Sequence, residues 1–152
     1  MKVLGIKAVV LDIDNTLVTY DDPEPTPSAA AFLKMLSDNG IAIAFLSNNG
    51  PERVTKFNQS LGYPFLSEGH KPLTGKLKKL LKTLNVEPKN AMMIGDQVFT
   101  DMCCGNLAGT HTLLVRPIKD KLNLFFRTKR VLEKPILYRL RRRHPERCFL
   151  DT

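Results

Sequence analysis

Two aspartates, Asp12 and Asp14, stand one residue apart at the end of the first apolar run of the chain. Carboxylates held close together repel one another, and a cation between them relieves that repulsion. Hard oxygen ligands suit Mg²⁺, so the pair is a candidate magnesium site. The pattern Asp-x-Asp also occurs in turns and helix caps, and taken alone it favours neither explanation.

Three more polar features lie at the ends of apolar runs or before a helix. They are Ser47-Asn48-Asn49 after the second run, Lys71-Pro72 before the third helical stretch, and Gly95-Asp96 followed by Asp101 after the third core run. Each also has a local explanation. Ser47 could cap a helix that starts at Pro51. Lys71 could be an ordinary exposed lysine, and Gly95-Asp96 could form a turn. The features indicate a functional site only if the fold brings them together.

Strands and helices alternate along the sequence in a way that predicts such a meeting point. Apolar runs at residues 6–13, 41–46, 91–94 and 112–115 are typical of parallel strands buried on both faces, and residues 65–66 give a weaker strand. Helical stretches begin at Pro27, Pro51, Pro72 and about Phe99. This alternation predicts an α/β fold, a Rossmann-like three-layer sandwich with a central parallel sheet. Functional groups of such sheets gather beyond the carboxyl ends of the strands.

The composition is that of a soluble, globular chain with one core. Its 152 residues are 43% apolar and 25% charged. No apolar run approaches the roughly 20 residues that span a bilayer, and the N-terminus has no signal-peptide pattern. The three cysteines, Cys103, Cys104 and Cys148, are odd in number and lack metal-ligand spacing. We therefore expect reduced thiols and a cytoplasmic protein.

The net charge of +8 lies entirely in the C-terminal part of the chain. Residues 1–115 contain 11 Lys and Arg against 11 Asp and Glu, whereas residues 116–152 contain 12 against 4. Such asymmetry favours contact with a polyanion, either nucleic acid or an anionic membrane, over a basic tail that only aids solubility.

The basic segment also has helical apolar spacing over residues 119–143, interrupted near Pro135. A basic amphipathic helix can lie in a membrane interface or pack its apolar side on its own core, and the sequence leaves both open. We therefore expect two parts: a core, residues 1–118, and a basic amphipathic C-terminal extension, residues 119–152. Residues 119–147 are the candidate surface for an anionic membrane.

Taken together, the four polar features resemble the motifs of the haloacid dehalogenase (HAD) superfamily, in the same order. Asp12-x-Asp14-x-Thr16 matches the first motif, Ser47 the second, Lys71 the third, and Gly95-Asp96 with Asp101 the fourth. The match spans about residues 8–115. It looks most like the YqeG-type branch (subfamily IIIA), which is similar to mitochondrial-type phosphatidylglycerophosphate phosphatases. The Arg-rich tail and Cys103-Cys104 depart from the pattern without touching the motif residues.

The resemblance implies a HAD-like fold and a magnesium-dependent phosphatase. Asp12 is then the nucleophile that forms an aspartyl-phosphate, and Asp14 protonates the leaving oxygen and later deprotonates water. Thr16 supports the loop or Asp14. Mg²⁺ is held by Asp12, the backbone carbonyl of Asp14 and Asp96, with Asp101 as a further ligand. Asp14 favours phosphatase chemistry because dehalogenases of the superfamily lack the second aspartate.

The resemblance also assigns Ser47, Asn48 and Lys71 to the substrate's phosphoryl group, with Lys71 offsetting its developing charge. Family members insert cap domains after the first motif or between the second and third, but residues 17–27 and 47–71 are too few for one. A site without a cap is open and suits large or surface-bound substrates. Phosphatidylglycerophosphate is therefore the leading candidate substrate. Tyr20 either lines the entrance or is an ordinary loop aromatic.

Two alternatives keep the fold and change the function. An RNA- or ribosome-associated protein would bind through the Arg-rich tail, with steep salt dependence, and use the HAD domain as a scaffold. A HAD phosphatase acting on nucleotides, nucleic-acid ends or phosphoproteins would keep the mechanism and change the substrate. The complete set of motif residues favours catalysis. We expect a cytoplasmic protein, peripheral at the membrane if the extension binds lipid, and the sequence indicates no oligomeric state.

Overall fold

The structure is a computed structural model that describes residues 4–119. All the elements below belong to the first of two units into which the chain divides, residues 1–118. The predicted amphipathic helix and membrane surface, which begin at residue 119, fall outside the described residues after Lys119. No helix between residues 4 and 119 is long and apolar enough to cross a membrane.

Five parallel strands alternate with four α-helices in this part of the chain. The strands are β1 (Ala8–Leu11), β2 (Ala42–Leu46), β3 (Phe65–Leu66), β4 (Ala91–Gly95) and β5 (His111–Leu114). The helices are α1 (Pro27–Asp38), α2 (Pro51–Asn58), α3 (Gly75–Thr83) and α4 (Cys103–Ala108), with a 3₁₀ turn at Pro88–Asn90 and a π-helical turn at Val98–Met102. The strand order is β3-β2-β1-β4-β5, with every neighbouring pair parallel. The predicted α/β fold with a central parallel sheet is confirmed.

Alternate residues of the central strands pack on opposite faces of the sheet. On one face, Val9, Leu11, Ile43, Phe45, Met92 and Ile94 pack with Leu33 and Leu36 of α1 and Val54 and Phe57 of α2. On the other face, Ala8, Val10, Ala44, Leu46, Ala91 and Met93 pack with Leu77, Leu80 and Leu81 of α3 and Cys104 and Ala108 of α4. After β3 the chain crosses back over the sheet to β4, on the other side of β1, and α3 and α4 then lie on the face opposite to α1 and α2. The result is the predicted three-layer sandwich.

The buried face of α1 differs from the apolar face that the sequence suggests. Spacing groups four residues of the helix into one apolar stripe: Ala31, Phe32, Met35 and Leu36. The structure buries Leu36 and packs the half-buried Phe32 against the core, as predicted, but it also buries Ala29 and Leu33 and leaves Met35 50% exposed. The buried face of α1 is therefore turned toward Ala29 and Leu33.

One helix begins later than its apolar spacing suggests, and another begins with a wider turn. Helix α3 starts at Gly75 and not at Pro72, so Leu73 stays outside the helix and 68% exposed. The helical stretch predicted from about Phe99 is a π-helical turn over Val98–Met102 that runs directly into α4 at Cys103. Both changes fall next to motif residues, Lys71 and Asp101, whose side chains are directed to the sheet rim and not along a helix face.

No inserted domain interrupts the fold within residues 4–119. The connection from β1 to α1 is a loop of residues 12–26, and α2, β3 and short connections account for residues 47–74. The prediction of a fold without a cap is confirmed. Within residues 4–119, these connections form the rim at the carboxyl ends of the strands.

Candidate active site

The carboxyl ends of three neighbouring strands bring the motif residues together. Asp12 follows β1, Ser47 follows β2, and Asp96 follows β4, and β1 lies between the other two strands. The chain leaves β1 toward one edge of the sheet and leaves β4 toward the other. Ligand sites of open parallel sheets lie where the connections diverge in this way.

Three buried carboxylates meet at this point. Asp12, Asp96 and Asp101 each offer an oxygen atom, and these oxygens all lie within 4.8 Å of one another. The turn Val98–Met102 places Asp101 back over the end of β4, where its Oδ2 accepts a hydrogen bond from the backbone N–H of Gln97 at 3.0 Å. A Cβ atom on Gly95 would overlap the Asp101 carboxylate. The fourth motif therefore needs glycine at this position so that the carboxylate can lie over the end of β4.

A buried lysine joins two of these carboxylates. The ammonium of Lys71 lies 2.7 Å from Oδ1 of Asp12 and 2.7 Å from Oδ1 of Asp101, with only 2% of its side chain exposed. Burial by itself lowers the pKa of Lys71, but the two carboxylates more than offset this and raise it above the ordinary value. Lys71 is therefore a fixed positive charge inside the acidic cluster.

One ammonium does not neutralise three carboxylates. Burial raises the pKa of Asp12 to about 7; Lys71 lowers it in part, while repulsion from Asp101 and Asp96 adds to the increase. A cluster of this kind gains from a bound divalent cation, and three converging carboxylate oxygens are the hard donor set that Mg²⁺ prefers. The residues thus fit a divalent metal, as the sequence predicts.

The carboxylate of Asp14 points to a different set of partners. Its Oδ2 accepts a hydrogen bond from Nδ2 of Asn49 at 2.6 Å, and its Oδ1 accepts from Nε and Nη2 of Arg53 at 3.1 and 2.9 Å. The side chain of Asp14 is absent from the carboxylate cluster. Any contact of Asp14 with a metal in that cluster would use its backbone carbonyl, as the resemblance to HAD proteins implies.

Ser47 and Asn48 lie at the end of β2 and make local contacts. The hydroxyl of Ser47 accepts the backbone N–H of Asn49 at 3.1 Å. Gly50 is the N-cap of α2 and no side chain caps that helix, so the alternative that Ser47 caps it is wrong. Asn48 clamps the backbone of Lys71: its Oδ1 accepts from Lys71 N–H at 2.8 Å, and its Nδ2 donates to Lys71 O at 3.4 Å.

The loop after Asp14 carries Thr16 and Tyr20. The N–H of Thr16 donates to Ile13 O at 3.2 Å, whereas its Oγ1 is buried with no hydrogen-bond partner in the described part of the chain. Thr16 therefore contacts the loop through its backbone and not Asp14 through its hydroxyl. Burial raises the pKa of the Tyr20 phenol, and Asp12 and Asp96 raise it further. Tyr20 is thus within electrostatic reach of the cluster, and its place at the entrance stays a prediction.

The adjacent cysteines lie behind the site. Both Cys103 and Cys104 are free. The thiol of Cys104 donates to Leu73 O at 3.5 Å, and burial raises its pKa to about 11. Cys104 is therefore a neutral thiol at physiological pH, packed beneath the loop that carries Lys71.

Sequence reasoning missed Arg53 and assigned no role to Asn49, although Asn49 belongs to the polar feature after the second apolar run. Asn49 stands next to the predicted Ser47 and Asn48, and Arg53 lies in the first turn of the helix that leaves the same rim. A cation in the first turn of a helix, where the helix dipole disfavours it, is a signal that could have found Arg53. Its partner Asp14 lies 39 residues earlier, and no local pattern connects the two.

Comparison with known proteins agrees with the fold and with the family that the motifs resemble. The family model of haloacid dehalogenase-like hydrolases matches residues 18–109. Among individual proteins, "Probable phosphatase YqeG" of Bacillus subtilis (strain 168) is 33% identical over 143 residues, which cover 94% of this chain and 83% of that protein. The chain belongs to the haloacid dehalogenase-like hydrolase family, as its motifs predict.

Two further proteins extend the likeness. The chloroplastic phosphatidylglycerophosphate phosphatase 1 of Chlamydomonas reinhardtii is 28% identical over 127 residues, which cover 78% of this chain and 47% of that protein. A solved structure of the cobalt-bound deoxy-D-mannose-octulosonate 8-phosphate phosphatase from Haemophilus influenzae has a TM-score of 0.58 at 20% identity, and covers 88% of this chain and 91% of that chain. The predicted enzyme class, a HAD-type phosphatase, is confirmed.

Proposed function

We propose that this protein hydrolyses a phosphate monoester through an aspartyl-phosphate on Asp12, with Asp14 as general acid and base. The observation that carries the proposal is the separation of the two aspartates. Asp12 is buried beside Lys71 in the carboxylate cluster, whereas Asp14 is turned to neutral and cationic donors outside it. A side chain outside the cluster is not committed to a metal, so the Asp14 carboxyl is available to exchange a proton with the leaving group and with water.

The reaction has two steps at these side chains. Asp12 attacks phosphorus, the bond to the leaving oxygen breaks, and Asp14 gives its proton to that oxygen. Asp14, now ionised, takes a proton from water as the water attacks the acyl phosphate, which releases inorganic phosphate and restores Asp12. The pairing of Asp12 with Lys71 at 2.7 Å supports a fixed nucleophile.

Mg²⁺ is the proposed cofactor, held by the side chains of Asp12, Asp96 and Asp101 and the backbone carbonyl of Asp14. A bound divalent ion supplies charge neutralisation for the phosphoryl group and for the three carboxylates. The converging oxygens of the cluster support this, and the name of the Haemophilus phosphatase records cobalt, a divalent metal, in that protein.

We assign Ser47 and Lys71 to the phosphoryl oxygens, with Lys71 offsetting negative charge in the transition state. Asn48, which the sequence also assigns to the phosphoryl group, binds the backbone of Lys71 through both polar atoms of its amide. This contact supports a positioning role for Asn48. Thr16 supports the loop that follows Asp14 through its backbone hydrogen bond to Ile13.

Phosphatidylglycerophosphate is the proposed substrate. The lack of a cap within residues 4–119 leaves the site open to a lipid headgroup, and the relative from Chlamydomonas is named for this activity. We further propose that residues 1–118 are the catalytic core and that the extension, residues 119–152, brings the protein to an anionic membrane through residues 119–147. The enzyme class disfavours the alternative of an RNA-binding scaffold, and a nucleotide or phosphoprotein substrate is an outcome of the test.

The test measures phosphate release with Mg²⁺ from phosphatidylglycerophosphate in anionic vesicles, nucleotides, a phosphopeptide, sugar phosphates and an aryl phosphate. We expect fastest turnover of the lipid, and none with Asp12→Asn. The matched control is Asp38→Asn, the same chemical change on exposed Asp38 at the end of α1. Faster turnover of a nucleotide or phosphopeptide would contradict the lipid assignment. No phosphate release from any of the substrates would contradict the proposed phosphatase function.

A further inference from the structure

The carboxylate of Asp14 accepts three hydrogen bonds from the side chains of Arg53 and Asn49. Oδ1 accepts two N–H groups of Arg53, at 3.1 and 2.9 Å, and Oδ2 accepts one N–H of Asn49 at 2.6 Å. A carboxylate oxygen has two lone pairs, so Oδ1 is filled and Oδ2 keeps one free. The two oxygens of Asp14 are therefore not equivalent.

Arg53 itself is fixed from three sides. Its Nη1 donates to Pro23 O at 3.0 Å and its Nη2 to Thr19 O at 3.4 Å, which are both in the loop that follows Asp14. Its guanidinium also lies 5.9 Å from the ring centroid of Phe57, one turn further along α2. Only 20% of the Arg53 side chain is exposed. The pair of Arg53 and Asp14 is therefore partly buried and joined by two hydrogen bonds. An exposed surface ion pair, in contrast, contributes little to stability.

We propose that Arg53 is the positioning residue for Asp14 and that it assigns the catalytic proton to Oδ2. By filling both lone pairs of Oδ1, the two-donor fork of Arg53 leaves Oδ2 as the oxygen that carries the proton to the leaving group and receives it from water. The fork also ties the loop of Thr19 and Pro23 to α2, so that Asp14 and the loop keep one orientation. This inference rests on the proposed role of Asp14 as general acid.

Leaving-group dependence separates this role from a structural one. General-acid catalysis matters for a poor leaving group, such as phenol, and hardly for a good one, such as dinitrophenol. In the full chain with Mg²⁺, we expect Arg53→Lys to lower kcat/KM for phenyl phosphate about 10–100-fold and to change kcat/KM for dinitrophenyl phosphate little. This parameter ends at phosphoryl transfer and does not include the later attack of water, in which Asp14 acts with every substrate. Lysine keeps a cation but lacks the planar fork. Arg53→Gln is the second variant should the first fail to fold, as judged by circular dichroism.

Two comparisons complete the experiment. Asp14→Asn should show the same selective loss, and Asp14→Asn with Arg53→Lys should be no slower than Asp14→Asn alone, because Arg53 acts through Asp14. Lys56→Ala, an exposed cation three residues along the same helix, is the matched control and should leave both rates unchanged. An equal loss on both substrates in folded Arg53 variants, or additive losses in the double variant, would overturn the proposal. A lack of leaving-group dependence in Asp14→Asn itself would instead contradict the proposed function.

Discussion

Replacing Asp12 with asparagine should remove activity and yet stabilise the metal-free protein at alkaline pH. In the folded chain, burial and the neighbouring carboxylates raise the pKa of Asp12 from 3.8 to about 7, net of the attraction of Lys71. The shift of about 3 units corresponds to about 4 kcal/mol at 1.36 kcal/mol per unit. The ionised carboxylate therefore opposes folding, and asparagine, which has no charge to lose, does not.

The sign of the pH dependence follows from linkage. A carboxyl whose folded pKa is raised contributes its full stability below pH 3.8 and loses it as the pH rises from 3.8 to about 7. At pH 5 about 1.2 units of this interval have been crossed, so the free energy of unfolding of the variant should exceed that of the wild type by about 2 kcal/mol. At pH 8 the whole interval has been crossed, and the difference should reach up to about 4 kcal/mol.

Urea unfolding at pH 5 and pH 8 in the presence of EDTA measures this difference. Asp38→Asn is the matched control, since its exposed ion pair with Lys34 contributes less than about 1 kcal/mol. Mg²⁺ at pH 8 should stabilise the wild type more than Asp12→Asn and so reverse part of the difference. A metal-free wild type that is more stable than Asp12→Asn at pH 8, or a difference that does not grow with pH, would refute the reasoning.

Three further substitutions test other contacts of the site. Lys71→Met leaves the buried carboxylates of Asp12 and Asp101 without their shared cation, so metal-free stability at pH 8 should fall by about 3–5 kcal/mol; urea unfolding that shows no loss would contradict the pairing. Gly95→Ala should displace the Asp101 carboxylate and weaken Mg²⁺ binding at least about tenfold by calorimetry, whereas Gly50→Ala, where a Cβ meets nothing within 4 Å, should not. Asn48→Ala should lower kcat about 10–100-fold by releasing the backbone of Lys71, with unchanged circular dichroism, and a rate equal to the wild type would show that the clamp is dispensable.

The sequence by itself determined the strands, the order of the motifs and the rim where they meet. Apolar runs such as residues 6–13 are buried on both faces of a parallel sheet, and their pattern is local, so it can be read without the fold. The polar residues that end these runs, Asp12, Ser47 and Asp96, then had to lie at the carboxyl edge of the sheet. Lys71 and Asp101 were predicted near the same edge from their places before a helix and after a strand, but their roles came only from the family resemblance.

Only the tertiary structure decided which of these groups touch. Lys71 joins Asp12 across 59 residues and Arg53 joins Asp14 across 39, and such pairs depend on the strand order and on how each helix leaves the sheet. The same packing chose the buried stripe of α1 and left Ser47 bonded to Asn49 and not to α2. Local patterns record the preferences of neighbouring residues, whereas the partners of a buried charge are set by desolvation and distance in the folded chain. For that reason the sequence could name the two aspartates but not their partners, and only the fold showed one carboxylate beside lysine in an acidic cluster and the other held by arginine.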